Sequence, residues 1–304
     1  MKSKNSKSFS IHCPFCQTLG LSPSPLSRRV HRKGYFSRSS DGRRIARFFC
    51  LNCKKNFSYA TFSPCFRQKK RRLNVSIRKL YFSGVSLRRI ARLLGVNRKT
   101  VVRKFLFLAG QAKLNNQKFL IDYLSKKETF QLQFDEMESS ERSKCLPVSI
   151  PLVLERESRK ILAFRVCKMP AKGLLAKVSY KKYGPRDDER TQAAHDLFSQ
   201  LAPFAERFSQ IESDQNPKYP TWIRAHFPKL KHKAYLGRRG CVVGQGELKK
   251  IGFDPLFDLN HTCAMLRANI NRLFRRTWCT TKVKERLADH IAIYVEYHNS
   301  VLTA

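Results

Sequence analysis

Four cysteines in two Cys-x-x-Cys pairs, CPFC (Cys13, Cys16) and CLNC (Cys50, Cys53), constrain this chain more than any other feature. Each pair sets two thiols at one turn, and two such turns can close on a single tetrahedral ion. In a reducing compartment that spacing favours zinc over disulfides. Between the pairs, KGYFSRSSDGRRIARFFC reads as two strands around an SSDG turn, the second strand delivering Cys50. Residues 1–66 are therefore expected to form a zinc ribbon with a long insert, its Zn²⁺ held by Cys13, Cys16, Cys50 and Cys53. Cys65, Cys145, Cys167, Cys241, Cys263 and Cys279 stand singly and are expected to be small buried apolar side chains.

Charge narrows the class of partner. The chain has 61 Lys and Arg against 22 Asp and Glu, a formal net charge of +39. Its hydrophobic content of 42% is that of a folded protein, so this is no disordered polycation. A polyanion is implied, with nucleic acid ahead of an anionic membrane surface. With no apolar run long enough to span a bilayer and no signal peptide, a soluble intracellular protein is expected. The charge is also uneven: from Met1 to Lys113 the one acid is Asp41. That basic third predicts a nucleic-acid-binding module. Arg28, Arg29, Arg32, Lys33, Arg43, Arg44 and Arg47 are expected on phosphate.

A basic stretch, RQKKRR at 67–72, precedes a second module at 67–112. Ser86 caps a helix over 87–94 with Leu87, Ile90, Ala91 and Leu94 on one face, and Gly95 ends it. Asn97 starts the next helix, in which Val101, Val102 and Phe105 point inward while Arg98, Lys99, Thr100, Arg103 and Lys104 point outward. Small Ala91 permits close approach, and the spacing is that of a DNA-binding helix-turn-helix. Base readout is expected from Arg98, Lys99 and Thr100.

After a helical connector (113–128), the pattern turns to strands. TFQLQFDE alternates Phe130, Leu132 and Phe134; PVSIPLVLE and RKILAFRV make a hairpin; a helix runs from Gln192 to Phe208; FSQIESD ends at Asp214. Three antiparallel strands, a helix, then a strand parallel to the first is the order of a ribonuclease H-like core, expected over 129–304. In that order Asp135 and Asp214 end neighbouring strands. Paired carboxylates repel unless neutralised, and Mg²⁺ ions would both neutralise them and clamp a phosphate for in-line attack. An acidic island, QLQFDEMESSE, inside so basic a chain thereby acquires a purpose.

The quoted motifs, together with NHTCAMLRANINRLFRRTWCTTK and IAIYVEYHN near the end, resemble bacterial insertion-sequence transposases of the DDE superfamily, most like the insertion-element-one type. The resemblance covers nearly the whole chain. It implies a multidomain protein of zinc ribbon, all-α helix-turn-helix and α/β ribonuclease H-like catalytic domain, acting at a bacterial nucleoid. The implied activity is Mg²⁺- or Mn²⁺-dependent cleavage at the terminal inverted repeats of a mobile element, then attack of the freed 3′-hydroxyl on target DNA. Neither ATP nor a covalent protein intermediate is implied, and joining two ends implies a homo-oligomer.

Such proteins use two Asp and one Glu. Asp135 and Asp214 supply the first two. The family's third acid lies on a late helix, yet 259–276 carries none, and Asn260 is a poor metal ligand. Glu247, 33 residues past Asp214, is the preferred third acid, Asp258 is the second option, and a degenerate or unrecognised site is the third. Glu136 and Glu138 are expected to face solvent or ion pairs; His226, His232 and His261 are expected to be structural or superficial, with orientation of phosphate or water as the alternative. Trp278 is expected in the core, with stacking on a flipped base as the alternative. A non-enzymatic zinc-ribbon and helix-turn-helix regulator, a class that includes a decayed transposase, is the competing reading; a structure-specific nuclease on the same fold is a third.

Overall fold

The computed structural model describes residues 11–18, 30–39, 42–126, 128–236, 248–249, 252–274 and 277–303. Contacts divide the chain into two compact units, Met1–Asn74 and Val75–Ala304.

In the first unit, helix α1 (Pro14–Thr18) carries Cys16, and strands β1 (Val30–Ser37), β2 (Arg44–Cys50) and β3 (Asn56–Ser58) form one antiparallel sheet in the order β1-β2-β3. The β1–β2 hairpin is the expected pair of strands, and β3 adds a third to it. Alternation explains the core: Ala46, Phe48 and Cys50 of β2 turn inward with Phe57, while β1 is exposed along nearly its full length.

The second unit begins with three helices: α2 (Leu73–Phe82, which starts at the boundary), α3 (Leu87–Leu93) and α4 (Arg98–Lys126). Ser86 accepts from the Arg89 amide at the start of α3, and Asn97 accepts from the Lys99 amide at the start of α4. Gly95 turns the chain between them at φ +59°, a value that disfavours any side chain. The expected boundary at residue 112 falls inside α4, which runs unbroken for 29 residues.

A mixed sheet follows, built from β4 (Phe130–Ser140), β5 (Pro147–Glu155), β6 (Ile161–Phe164), β7 (Cys167–Lys168), β8 (Phe208–Asp214) and β9 (Lys231–Tyr235). Its order is β6-β5-β4-β8-β9, with β7 on β5; β4, β5 and β6 are antiparallel neighbours, and β8 and β9 run parallel to β4. Helices α5 (Leu174–Tyr183) and α6 (Arg190–Leu201) lie between β7 and β8, α7 (Tyr219–His226) between β8 and β9, and α8 (Phe257–Asn269) and α9 (Lys284–Tyr297) close the chain.

The two-residue period of the strands sends alternate side chains to two separate cores. Phe130, Leu132, Phe134 and Val153 meet Leu197, Phe198, Trp222 and Ile223 on one face. Met137, Ile150, Leu152 and Leu154 meet Leu259, Cys263, Leu266 and Ile291 on the other. Asp135 pairs with Leu152 and so shares the face covered by α8. Among the described residues, no helix is long and apolar enough to cross a membrane.

Candidate functional site

Asp135 lies in the middle of an eleven-residue strand, not at its end. What ends there is the pairing with β8: the register runs to Phe134↔Ser213, and one step further places Asp135 beside Asp214. The sheet opens at that point, so two carboxylates on neighbouring parallel strands come onto one face. Burial, together with the charges of Asp214 and Glu136, pushes the Asp135 carboxyl up to about 6. One of its oxygens, Oδ1, accepts from the Glu136 amide (2.6 Å) and from the Tyr219 hydroxyl (3.1 Å).

Glu136 does not simply face solvent. It accepts from the Ser149 hydroxyl (2.7 Å) and lies 3.4 Å from the Tyr219 hydroxyl. Tyr219 is buried on the first turn of α7, five residues past Asp214, and its phenol is pushed up by burial and by Asp135, Glu136 and Asp214. Glu138 does make the expected ion pair, with Lys172 at 2.8 Å. Deeper on the same face, Glu212 is buried and accepts from Gln133, Gln210, Arg156 and Tyr235, which fixes β8 against β4 just below the pair. Sequence periodicity predicted neither Tyr219 nor Glu212 as part of this region. The hydroxyl and the buried acid join it only through the β4–β8 register.

Of the options for a third acid, Glu247 lies outside the described residues. Asp258 is in the first turn of α8, and its charged neighbours are Arg159, Arg156, His261 and Glu155. Glu155 pairs with Leu132, three residues before Asp135. Asn260 donates to Asp254 at 2.7 Å. Over Asp135 itself α8 presents Cys263, whose thiol burial pushes up to about 12. His226 pairs with His195 at 2.9 Å, His232 with Ser213 at 2.8 Å and His261 with Arg159 at 3.1 Å, so all three have protein partners.

The four paired cysteines converge. Their sulfurs all lie within 4.8 Å of one another, with Cys13–Cys53 at 3.5 Å and Cys16–Cys50 at 3.6 Å. Four thiolates about 2.3 Å from one Zn²⁺ would stand about 3.8 Å apart, so the set fits tetrahedral zinc. Burial pushes Cys13 up to about 12. Burial acts upward on Cys50 too, but amide donors from Cys53 and Asn52 and the thiol of Cys16 bring it down to about 7. Among the described residues this is the group of side chains whose ligand atoms close to metal-binding distances.

Arg98, Lys99 and Arg103 are exposed at the start of α4 and Thr100 is half-buried. Lys104 is not outward: it is 4% exposed, because it falls on the inward stripe of Val101, Phe105 and Leu108. On the first unit Arg43 and Arg44 are exposed; the Arg44 and Arg32 guanidiniums each lie over the Tyr35 ring, at 4.7 and 4.6 Å. Arg28 and Arg29 lie outside the described residues. Trp278, expected in the core, is 78% exposed, because the short 3-10 turn at Thr277–Cys279 packs no apolar stripe. Cys145, Cys167 and Cys263 are buried as expected, Cys65 and Cys279 are half-buried, and Cys241 lies outside the described residues. No protein-family model matches this chain, and no curated protein matches it.

Proposed function

We propose that this chain is a DNA transposase of the DDE type: a zinc ribbon and a helix-turn-helix that find element ends, joined to a ribonuclease H-like domain that cuts and transfers strands. The observation that carries this reading is the juxtaposition of Asp135 and Asp214 on adjacent parallel strands of a sheet ordered β6-β5-β4-β8-β9. The net charge of +39 and the exposed Arg98, Lys99 and Arg103 at a capped helix start support a DNA partner. The sulfur spacing supports one structural Zn²⁺ on Cys13, Cys16, Cys50 and Cys53.

Asp135 and Asp214, with Glu247 as the preferred third acid, would hold Mg²⁺; bound there, the metal supplies charge neutralisation at a phosphate and activation of an attacking oxygen. The protein's own contribution is positional. Tyr219 and the Glu136 amide occupy Oδ1 of Asp135 and leave Oδ2 to ligate, and the Glu212 network fixes the two strands against each other. Because a proton competes for Asp135 near pH 6, metal affinity should climb as pH rises through that value and level above it.

The test is calorimetric titration of Mn²⁺ at pH 8 into zinc-reconstituted protein, with nonspecific duplex present. Asp135→Asn and Asp214→Asn should each weaken binding at least tenfold, and Glu247→Gln decides the third ligand. A wild type that binds no metal sinks the enzymatic reading. The alternative is then a non-enzymatic DNA-binding regulator, favoured by one observation: toward Asp135 the buried face of α8 offers Leu259, Cys263 and Leu266 and no carboxylate.

A further inference from the structure

We propose that α5, with the lysine-bearing turn that leads into it, is a second duplex-DNA contact, rooted on the strand that carries Asp135. It rests on the transposase reading and adds a surface that the ribbon and the helix-turn-helix do not include.

Helix α5 is held but hardly buried. Of its ten residues Ser179 is buried, donating its hydroxyl to the Cys145 carbonyl at 2.6 Å. Leu174 is 95% exposed, Tyr180 68% and Val178 50%. A surface helix ordinarily spends its apolar residues on the core. One that leaves them in water together marks an interaction surface.

Its root is tied to the carboxylate strand. Strand β7 pairs with β5 at Ser149↔Cys167, and the Ser149 hydroxyl donates to Glu136. Lys172, two residues before α5, pairs with Glu138 at 2.8 Å. Glu138 is three residues along β4 from Asp135, about 10 Å at strand spacing. By strand alternation Glu138 lies on the face of β4 opposite Asp135, so the root of α5 is tied to the strand that carries the carboxylate, from the sheet's other face.

Charge selects the occupant. No acid occurs from Arg165 to Arg186, and α5 contributes Lys177, Lys181 and Lys182. At 100° per residue, Lys181 and Lys182 fall on either side of Leu174 and Val178, so cations and apolar groups are interleaved rather than segregated. A helix lying in a membrane surface needs them segregated. A second copy docked about a twofold axis would set the three lysines against themselves, and the rest of the partner would still carry a net charge of +39. Duplex DNA accommodates both sets: lysines on phosphates, Leu174 and Tyr180 against sugars and base edges or wedged at a base step.

Photocrosslinking of the full zinc-loaded chain on nonspecific duplex tests this. A benzophenone side chain replaces Val178 in one protein and Lys99 in another. Crosslinks to DNA are expected from both positions. In parallel, Lys177→Ala/Lys181→Ala/Lys182→Ala should reduce the slope of log affinity against log salt by roughly 2.7, at about 0.9 per phosphate contact, with an unchanged unfolding temperature. A position-178 crosslink to a second copy, or none to DNA while position 99 crosslinks, overturns the proposal and leaves the DNA reading standing. Silence at both positions removes the DNA reading as well.

Discussion

At the scale of single residues, the most informative side chain is Tyr219. Its hydroxyl is buried among Asp135, Glu136 and Asp214, and it donates to the oxygen of Asp135 that also takes the Glu136 amide. Two donors on one oxygen fix the carboxylate's rotamer. Because Tyr219 sits in the helix that follows Asp214, the same contact ties the two aspartate-bearing strands together. A residue that orients a metal ligand typically matters about 10- to 100-fold in affinity. Tyr219→Phe keeps the ring packed on Phe134 and removes only the donor. Mn²⁺ binding by this variant should weaken about tenfold. In an Asp135→Asn background the same change should have almost no further effect, since the oriented ligand is already gone. An equal loss in both backgrounds would mean that the phenol acts on general packing instead.

At the scale of elements, what the sequence reveals depends on how local the determinant is. Strands β4 and β5 are legible because Phe130, Leu132 and Phe134, or Val148, Ile150, Leu152 and Leu154, write their alternation into a few residues, and β8 because Phe208 and Ile211 bracket a short apolar run before Asp214. The aspartates on them follow, since their positions in the strand succession are enough to bring them together. Helix α4 was not legible as one element, because Gly110 and the polar run at Asn115 and Asn116 look like a break. Yet Leu108, Ala109, Ala112, Leu120 and Leu124 keep a buried stripe across it. Nor was α5 expected: its residues pack on almost nothing, so no apolar period announces them. Partners far along the chain decide such cases. His290 of α9 is another. It is fully enclosed against Tyr81 of α2 and Phe105 of α4. Burial, reinforced by Arg272, pushes it down to about 3. Its folded value lies below the unfolded one near 6.5, so the unfolded chain binds the extra proton between those limits. The contribution of His290 to the stability of the second unit should accordingly be complete above pH 6.5. It should fall on acidification by up to about 1.4 kcal/mol per pH unit, levelling near pH 3. Denaturant titrations across that range should show the acid limb flatten in His290→Phe; an unchanged limb would assign it to carboxylates.

At the scale of the whole molecule, the two units have unequal means of staying folded. The second has two apolar cores, one on each face of its sheet. Among the described residues, the first encloses little beyond Ala46, Phe48, Phe57 and the cysteines themselves. A core that small rarely holds a fold without a staple, and here the staple would be the ion on four sulfurs. Such a metal's binding free energy is largely folding free energy, so its removal should act on one unit and spare the other. Scanning calorimetry of the zinc-loaded chain should resolve a transition that a strong chelator abolishes and Zn²⁺ restores. The transition of residues 75–304 should keep its midpoint within a few degrees. Cys50→Ser should reproduce the chelator's effect without chelator, because three thiolates and a hydroxyl close a tetrahedral site poorly. If the chelator instead lowers both transitions together, folding of the second unit depends on the first. On the proposed function, end recognition and strand chemistry would then be coupled through stability.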